Sequence, residues 1–204
     1  MAKLEKKIAL NPKYISLVQR PCCCCVTSLQ MILYRRGFGL FDQEELAKYF
    51  KIKVSKDDAD SFNVKLGVYA TSSDGGMKTT ESEKIINQFF KEKKIPLIAK
   101  SFRASDILDL EKFISDNLSK NNDLWIEYET FKVHKKPSSK KKWFLPEWMA
   151  GHDNVIESIK TEEQKTIVTL VDPFWYNKPR NEAFIEKIWD GLIGFIVISS
   201  KKSN

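Results

Sequence analysis

Four consecutive cysteines, Cys22 to Cys25, limit how this chain can fold, because the sequence contains no other cysteine. Adjacent residues of a helix or strand point in different directions, so such a run cannot join distant parts of one chain through disulfides. The fold must therefore depend on its hydrophobic core, as is usual for proteins of reducing compartments. We predict a cytoplasmic protein.

The composition supports a hydrophobic core and gives no sign of a membrane segment. The chain has 204 residues, of which 42% are hydrophobic, and we predict one domain that spans residues 1–204. No apolar run approaches the roughly 18 residues that a membrane helix needs. Met1–Leu10 alternates lysine with apolar residues, which is not the pattern of a signal peptide.

The positive charge of the chain has no arrangement typical of a nucleic-acid-binding protein. The formal net charge is +7, and the basic residues are scattered except in the lysine-rich segment His134–Trp143. A nucleic-acid site usually combines basic and aromatic residues on a regular element, and this segment has the pattern of a loop. We therefore expect a solvated basic surface and no nucleic-acid partner.

Helix-type periodicity dominates the first half of the sequence and strand-type patterns dominate the second. The helices are predicted from the cysteine run to Gly37, over Gln43–Phe50, from Thr80 to Phe90, from Ser105 to Leu118 and over Glu182–Trp189. The strands are predicted over Ile95–Phe102, Leu124–Glu129, Asn154–Lys160, Thr166–Val171 and Leu192–Ser199. Lys51–Thr79 is predicted to be mostly loop.

The polar turn Thr161–Lys165 joins two predicted strands into a hairpin. A hairpin requires antiparallel pairing, which favours an α+β fold over a doubly wound parallel sheet. We predict N-terminal helices packed on a C-terminal antiparallel sheet.

The polar residues indicate a cysteine nucleophile with a histidine partner. The cysteine run opens a helix, and both a helix N-terminus and a nearby imidazolium favour the thiolate. The sequence has 2 histidines; His134 lies in the lysine-rich segment, whereas His152 begins a strand and so has a rigid support. Asp172 ends the partner strand, because the following proline interrupts the ladder. His152 and Asp172 can therefore lie side by side, with the carboxylate orienting the imidazole.

Two other polar residues lie near these candidates in the sequence. Gln19 precedes the cysteines by a few residues, so its amide can reach the same pocket. Asp153 follows His152, but adjacent residues of a strand point to opposite faces, so we expect it to be a poor partner for the triad. Adjacent cysteines lack the spacing that lets one metal ion use two of them, and we predict no metal site and no cofactor.

Gln19 followed by the segment Cys24–Leu33 resembles the bacteriocin-processing-peptidase-like branch of the papain-like cysteine peptidases. Gly151-His152 before a valine-containing strand, and a second strand ending in Asp172-Pro173, resemble two later motifs of that family in the same order. The resemblance implies a papain-like fold and a hydrolase that cleaves an amide bond of a peptide or protein. It implies that one cysteine is the nucleophile, His152 the general base, Asp172 its orienting partner and Gln19 the oxyanion donor.

The chain departs from the family pattern next to the nucleophile. Cys25 and Val26 stand where the family has Gly followed by Pro or Ala. Matching the helix positions from Leu29 to Leu33 selects Cys24 as the nucleophile, whereas the commoner spacing from Gln19 selects Cys25. We predict Cys24, with Cys25 as the alternative.

Two other functions are compatible with these residues. An acyltransferase similar to phytochelatin synthase or transglutaminase uses the same Cys-His-Asp set and passes the acyl group to an amine. A non-catalytic thiol- or metal-binding module would use the cysteines without turnover. The sequence leaves the oligomeric state open.

Overall fold

The computed structural model describes residues 6–66, 75–133, 151–174 and 178–201. The helices are α1 (Cys24–Arg35), α2 (Gln43–Tyr49), α3 (Lys56–Ala59), α4 (Glu83–Glu92), α5 (Leu110–Ser119), α6 (Thr130–Val133) and α7 (Ile185–Gly191). The strands are β1 (Lys6–Ala9), β2 (Leu97–Arg103), β3 (Asp123–Glu129), β4 (Gly151–Glu162), β5 (Lys165–Val171), β6 (Arg180–Phe184) and β7 (Leu192–Ser200). No described helix has the length and apolar character needed to cross a membrane.

The strands form one antiparallel sheet, and the predicted α+β class is confirmed. Its order is β2-β7-β3-β4-β5-β6, and β1 pairs with the second half of the long strand β4. Strand β1 was not predicted. Helix α1 packs against β3, β4 and α2, so the helix that begins at the cysteines lies directly on the sheet.

Two predicted helices differ from the structure. Helix α5 begins at Leu110, where the Asp109 side chain accepts a hydrogen bond from the Lys112 backbone at 2.9 Å; Leu108, which we assigned to the helix, is 99% exposed. The segment predicted as the helix Glu182–Trp189 is divided, because β6 pairs with β5 as far as Phe184 and α7 follows it. Pairing with the open edge of β5 therefore prevails over the local helical pattern.

The predicted β4–β5 hairpin is confirmed, and its turn is two residues long. Glu162 pairs with Lys165, and the turn residues Glu163 and Gln164 have φ values of +46° and +68°. Positive φ at both positions is the conformation whose twist matches that of the two strands.

A bulge at Glu157 then changes the register between β4 and β5. Ser158 pairs with Thr169, whereas Ile156 pairs with Leu170, so β4 gains one residue over β5 at this point. The bulge residue is held by its neighbours: its carbonyl accepts from the Leu10 amide at 2.9 Å, and its carboxylate accepts from Arg180 at 2.9 Å. Side chains alternate between the two faces along a strand. The extra residue therefore reverses which residues of β4 share a face with a given residue of β5.

Buried ion pairs attach the C-terminal end of α1 to the start of β3. The Asp123 carboxylate accepts from Arg35 Nε and Arg36 Nε, both at 2.6 Å, and from the Tyr14 hydroxyl at 2.7 Å. The side chains of Asp123 and Arg35 are 0% and 1% exposed. These contacts fix where α1 lies along the sheet.

We expect Asp123→Ala to lower the free energy of unfolding by about 3–5 kcal/mol, because it leaves two guanidinium groups without their buried partner. Asp116→Ala is the matched control, since it removes an exposed carboxylate paired with Lys112 and should leave the free energy of unfolding nearly unchanged. Urea unfolding of both variants measures the difference. Equal losses would show that the buried pairs do not hold α1.

Candidate active site

Of the four cysteines, Cys24 is the one that solvent reaches. It is the first residue of α1 and is partly exposed, whereas Cys22, Cys23 and Cys25 are buried. Cys25, the alternative nucleophile, is 0% exposed and belongs to the hydrophobic core. Accessibility therefore favours Cys24 over Cys25 as a reactive thiol.

His152 and Asp172 form a direct hydrogen bond. Nε2 of His152 lies 2.8 Å from Oδ1 of Asp172, whose side chain is 0% exposed. The Phe174 amide donates to the same carboxylate oxygen at 2.8 Å, and the Asp172 amide donates to the Pro179 carbonyl at 2.7 Å. When Nε2 donates to the carboxylate, a neutral imidazole has Nδ1 free to accept a proton.

The bulge in the hairpin brings these two residues to the same face. Val155 pairs with Val171, so continuing the register by one residue places Asp172 opposite Asn154. Asn154 and His152 are two positions apart and share a face of β4. Without the extra residue at Glu157, Asp172 and His152 would project to opposite faces of the sheet.

The charge of Asp172 favours the protonated form of His152. Burial lowers the pKa of the imidazole, but the Asp172 carboxylate and the Cys24 side chain together raise that pKa well above its ordinary value. The Cys24 charge acts only when the thiol is ionised, so the imidazolium is stabilised after a neutral His152 has taken the proton of the thiol. The rings of Tyr128 and Phe174 stand edge-on to the imidazole, with centroids 6.1 and 6.2 Å away.

The thiol itself is less acidic than we expected from its position at a helix N-terminus. The adjacent Cys25 thiol, burial and the Asp153 charge together raise the pKa of Cys24 well above its ordinary value, and the His152 imidazole opposes this only in part. These nearby groups therefore oppose the effect that the helix N-terminus has on the thiol.

Asp153 contacts the nucleophile candidate, whereas the carboxylate that bonds to the His152 ring is that of Asp172. Its Oδ2 atom lies 3.2 Å from Sγ of Cys24, while Oδ1 accepts from Trp125 Nε1 at 2.7 Å and from the Thr79 hydroxyl. Asp153 and His152 do project from β4 in different directions, but both are at its beginning, where the N-terminus of α1 meets the strand. Cys24 is therefore approached both by His152 and by Asp153.

A second buried carboxyl group lies beside Asp153. Glu127 of β3 is its cross-strand partner, and the Thr79 amide donates to Glu127 Oε2 at 3.0 Å. Thr79 therefore joins the two carboxyl groups, through its amide and its hydroxyl. Glu127, Thr79 and Trp125 were not among the predicted site residues; the signal available in the sequence was an acidic residue between the large side chains of Ile126 and Tyr128.

Gln19 lies next to the end of β5. Its backbone amide donates to the Pro173 carbonyl at 3.0 Å, which places the residue beside the Asp172 segment. Its side-chain oxygen is buried and has no hydrogen-bond partner among the described residues. The predicted site residues Gln19, Cys24, His152 and Asp172 thus come from three separate segments that meet at the N-terminus of α1.

Other residues considered from the sequence are placed elsewhere or not described. His134 and the rest of the lysine-rich segment lie outside the described residues, as does Trp175. Within residues 6–66, 75–133, 151–174 and 178–201, no group of three or more Cys, His, Asp or Glu side chains is arranged to hold a metal ion.

Comparison with known proteins identifies the fold. No family model matches the sequence, and no curated protein matches it significantly. Among solved structures, the chain is similar to one described as a "putative C39-like peptidase from Bacillus anthracis", with a TM-score of 0.58 and 17% sequence identity. The likeness covers 97% of this chain and 100% of that one. The chain therefore has the papain-like fold of C39-type peptidases, as predicted.

The buried Glu127 should make stability depend on pH. Burial, followed by the Asp153 charge, raises the pKa of Glu127 from 4.5 to about 7. Because the folded protein holds this proton more tightly than the unfolded chain, the contribution of Glu127 to stability is fully present below pH 4.5 and is lost as the pH rises to about 7. We expect Glu127→Gln to remove about 3 kcal/mol of this pH dependence.

Urea unfolding of the wild type and Glu127→Gln at several pH values measures this effect. Glu186→Gln, which changes an exposed carboxylate on α7, is the control and should follow the wild type. Parallel curves for the wild type and Glu127→Gln would contradict the assignment.

Proposed function

We propose that this protein is a cysteine hydrolase that cleaves an amide bond in a peptide or protein. The observation that carries the proposal is the position of Cys24, which is the accessible thiol and begins a helix. Its side chain raises the pKa of His152, and Nε2 of His152 lies 2.8 Å from Oδ1 of Asp172. Papain-like architecture is compatible with several reactions, so the site supports the function more than the fold does.

In this mechanism the thiol attacks the carbonyl carbon of the substrate. As the Sγ–C bond forms, the thiol proton passes to His152, and the carbonyl π electrons move to the oxygen. Asp172 orients the imidazole and stabilises the imidazolium. His152 then gives its proton to the leaving amine as the C–N bond breaks, which leaves a thioester on Cys24. His152 next takes a proton from a water molecule, which attacks the carbonyl carbon of the thioester. The C–Sγ bond then breaks, the acid leaves, and His152 returns the proton to the sulfur.

Gln19 is proposed to donate a hydrogen bond to the oxyanion. The Pro173 carbonyl holds its backbone beside the Asp172 segment, and the residue directly precedes the turn that leads into α1. Backbone amides at the beginning of α1 supply further donors, since the first N–H groups of a helix have no partner within it.

A peptide vinyl sulfone tests the assignment of the nucleophile. We expect one probe molecule to attach to Cys24, identified by peptide mass spectrometry. His152→Ala should slow the reaction by about 10²–10⁴-fold, because it removes the base that accepts the thiol proton. Cys25→Ala is the matched control: the probe should still attach to Cys24, at a rate no lower than in the wild type, because the Cys25 thiol raises the pKa of Cys24. Labelling of another cysteine, or equal rates in His152→Ala, would overturn the proposed site.

The role of Gln19 is tested by separating acyl chemistry from thiol reactivity. We expect Gln19→Ala to lower kcat toward a chromogenic peptide ester about 10²–10³-fold, because an oxyanion donor is lost. The rate of Cys24 alkylation by iodoacetamide should stay the same, since that reaction forms no oxyanion. A parallel fall in both rates would instead show a structural role. The same ester with an added amine distinguishes reactions, because only an acyltransferase gives aminolysis product in excess of hydrolysis.

A further inference from the structure

The proposed triad leaves unexplained why a buried carboxylate touches the nucleophile. Oδ2 of Asp153 lies 3.2 Å from Sγ of Cys24, and the Asp153 residue is 4% exposed. A carboxylate in this position acts on the thiol in the opposite sense to an imidazolium: it accepts the S–H proton and opposes the formation of a thiolate.

The hydrogen bonds to Asp153 fix which oxygen faces the thiol. Trp125 Nε1 and the Thr79 hydroxyl both donate to Oδ1, so Oδ2 is directed at Cys24. The indole N–H can only donate, and donors on one oxygen favour the ionised carboxylate. The thiol is then the donor in the Cys24–Asp153 contact.

Glu127 is better suited than Asp153 to carry a proton when only one of the two is ionised. The side chain of Asp153 accepts from Trp125, Thr79 and Cys24, whereas the Thr79 amide is the donor to Glu127. Hydrogen bonds from donors stabilise the charged form of a carboxyl group. Burial raises the pKa of Asp153 as well, but the hydrogen bonds from Thr79, Trp125 and Cys24 oppose this effect. We therefore assign the negative charge of the pair to the group that touches the thiol.

We propose that Asp153 is a further functional residue of this site, whose carboxylate accepts the Cys24 S–H, so that a neutral thiol is the resting form of the nucleophile. The proposal rests on Cys24 being the nucleophile of the proposed function. The described titratable side chains around Asp153 are Cys24 and Cys25 of α1, His152 of β4 and Glu127 of β3, with Tyr128 and Asp172 farther away.

This arrangement assigns different roles to the two carboxylates. Asp172 stabilises the imidazolium that receives the proton, and Asp153 keeps the proton on sulfur until the Sγ–C bond forms. During attack the proton moves from Sγ to His152, and Asp153 then faces an uncharged thioester sulfur in place of a thiolate. A thiol that is largely neutral also reacts slowly with oxidants, since oxidation follows thiolate character.

Alkylation of Cys24 by iodoacetamide between pH 5.5 and 10 tests the proposal. The rate is followed on the Cys24 peptide by mass spectrometry, and a second reading comes from the thiolate absorbance at 240 nm, as a difference from Cys24→Ser. We expect the wild type to reach half its maximal rate at or above about pH 8.5, the value of a free cysteine. Asp153→Asn keeps an oxygen for Trp125 and Thr79, and should shift this midpoint down by at least about one pH unit.

At pH 7 a shift of one unit raises the thiolate fraction about tenfold and lowers its intrinsic nucleophilicity about threefold, so Asp153→Asn should react about three to four times faster. Glu129→Gln is the matched control, because it removes an acidic charge from the same strand as Glu127. The Glu129 carboxylate pairs with Lys132, so the midpoint of this variant should equal that of the wild type.

A wild-type midpoint below about pH 8.5, or an unchanged or higher midpoint in Asp153→Asn, overturns the proposal. If circular dichroism shows that Asp153→Asn does not fold, the wild-type midpoint decides alone. Alkylation requires no acyl transfer, so the shift appears whether or not the protein hydrolyses a substrate. Failure of the proposed function, seen as no vinyl sulfone on Cys24, is therefore distinct from failure of this inference.

Discussion

The position of α1 on the sheet is the constraint on which the candidate site depends. At its C-terminal end, Asp123 of β3 binds Arg35 and Arg36 with the same distance of 2.6 Å. Between the two ends, the side chains from Cys25 to Leu33 are buried, so the helix cannot rotate without exposing apolar surface. The N-terminal residue Cys24 is consequently held where β4 begins. Cys25 is therefore part of the core, whereas the neighbouring Cys24 is accessible.

Two carboxylates act on the Cys24–His152 pair from different elements. Asp172 follows β5 and favours the protonated imidazole, whereas Asp153 of β4 contacts the thiol and disfavours its ionisation. A site with Asp172 alone would favour a preformed thiolate–imidazolium pair. In the mechanism that we propose, Asp153, which Thr79 joins to Glu127, makes proton transfer part of the attack itself.

Much of the fold and the site could be predicted from local patterns, and the failures have physical reasons. The β4–β5 hairpin and the α+β class follow from alternation and turn residues, which are local. Strand β1 and the β6 segment depend on edges of the sheet that the sequence does not show. The bulge at Glu157 decides which face Asp172 joins, yet it is stabilised by Leu10 and Arg180, which are distant in the sequence. The contact between Asp153 and Cys24 was not predicted, because the approach of α1 to β4 is also a long-range property.

The structure of a covalent adduct tests the central claim most directly. A crystal structure of the protein after reaction with a peptide aldehyde should show a hemithioacetal on Sγ of Cys24, with its oxygen near the Gln19 side chain and the amides that begin α1. Nδ1 of His152 should face the sulfur, and Nε2 should remain bonded to Asp172. An adduct on another cysteine, or a Cys24 adduct whose oxygen points away from Gln19 and His152, would contradict the account.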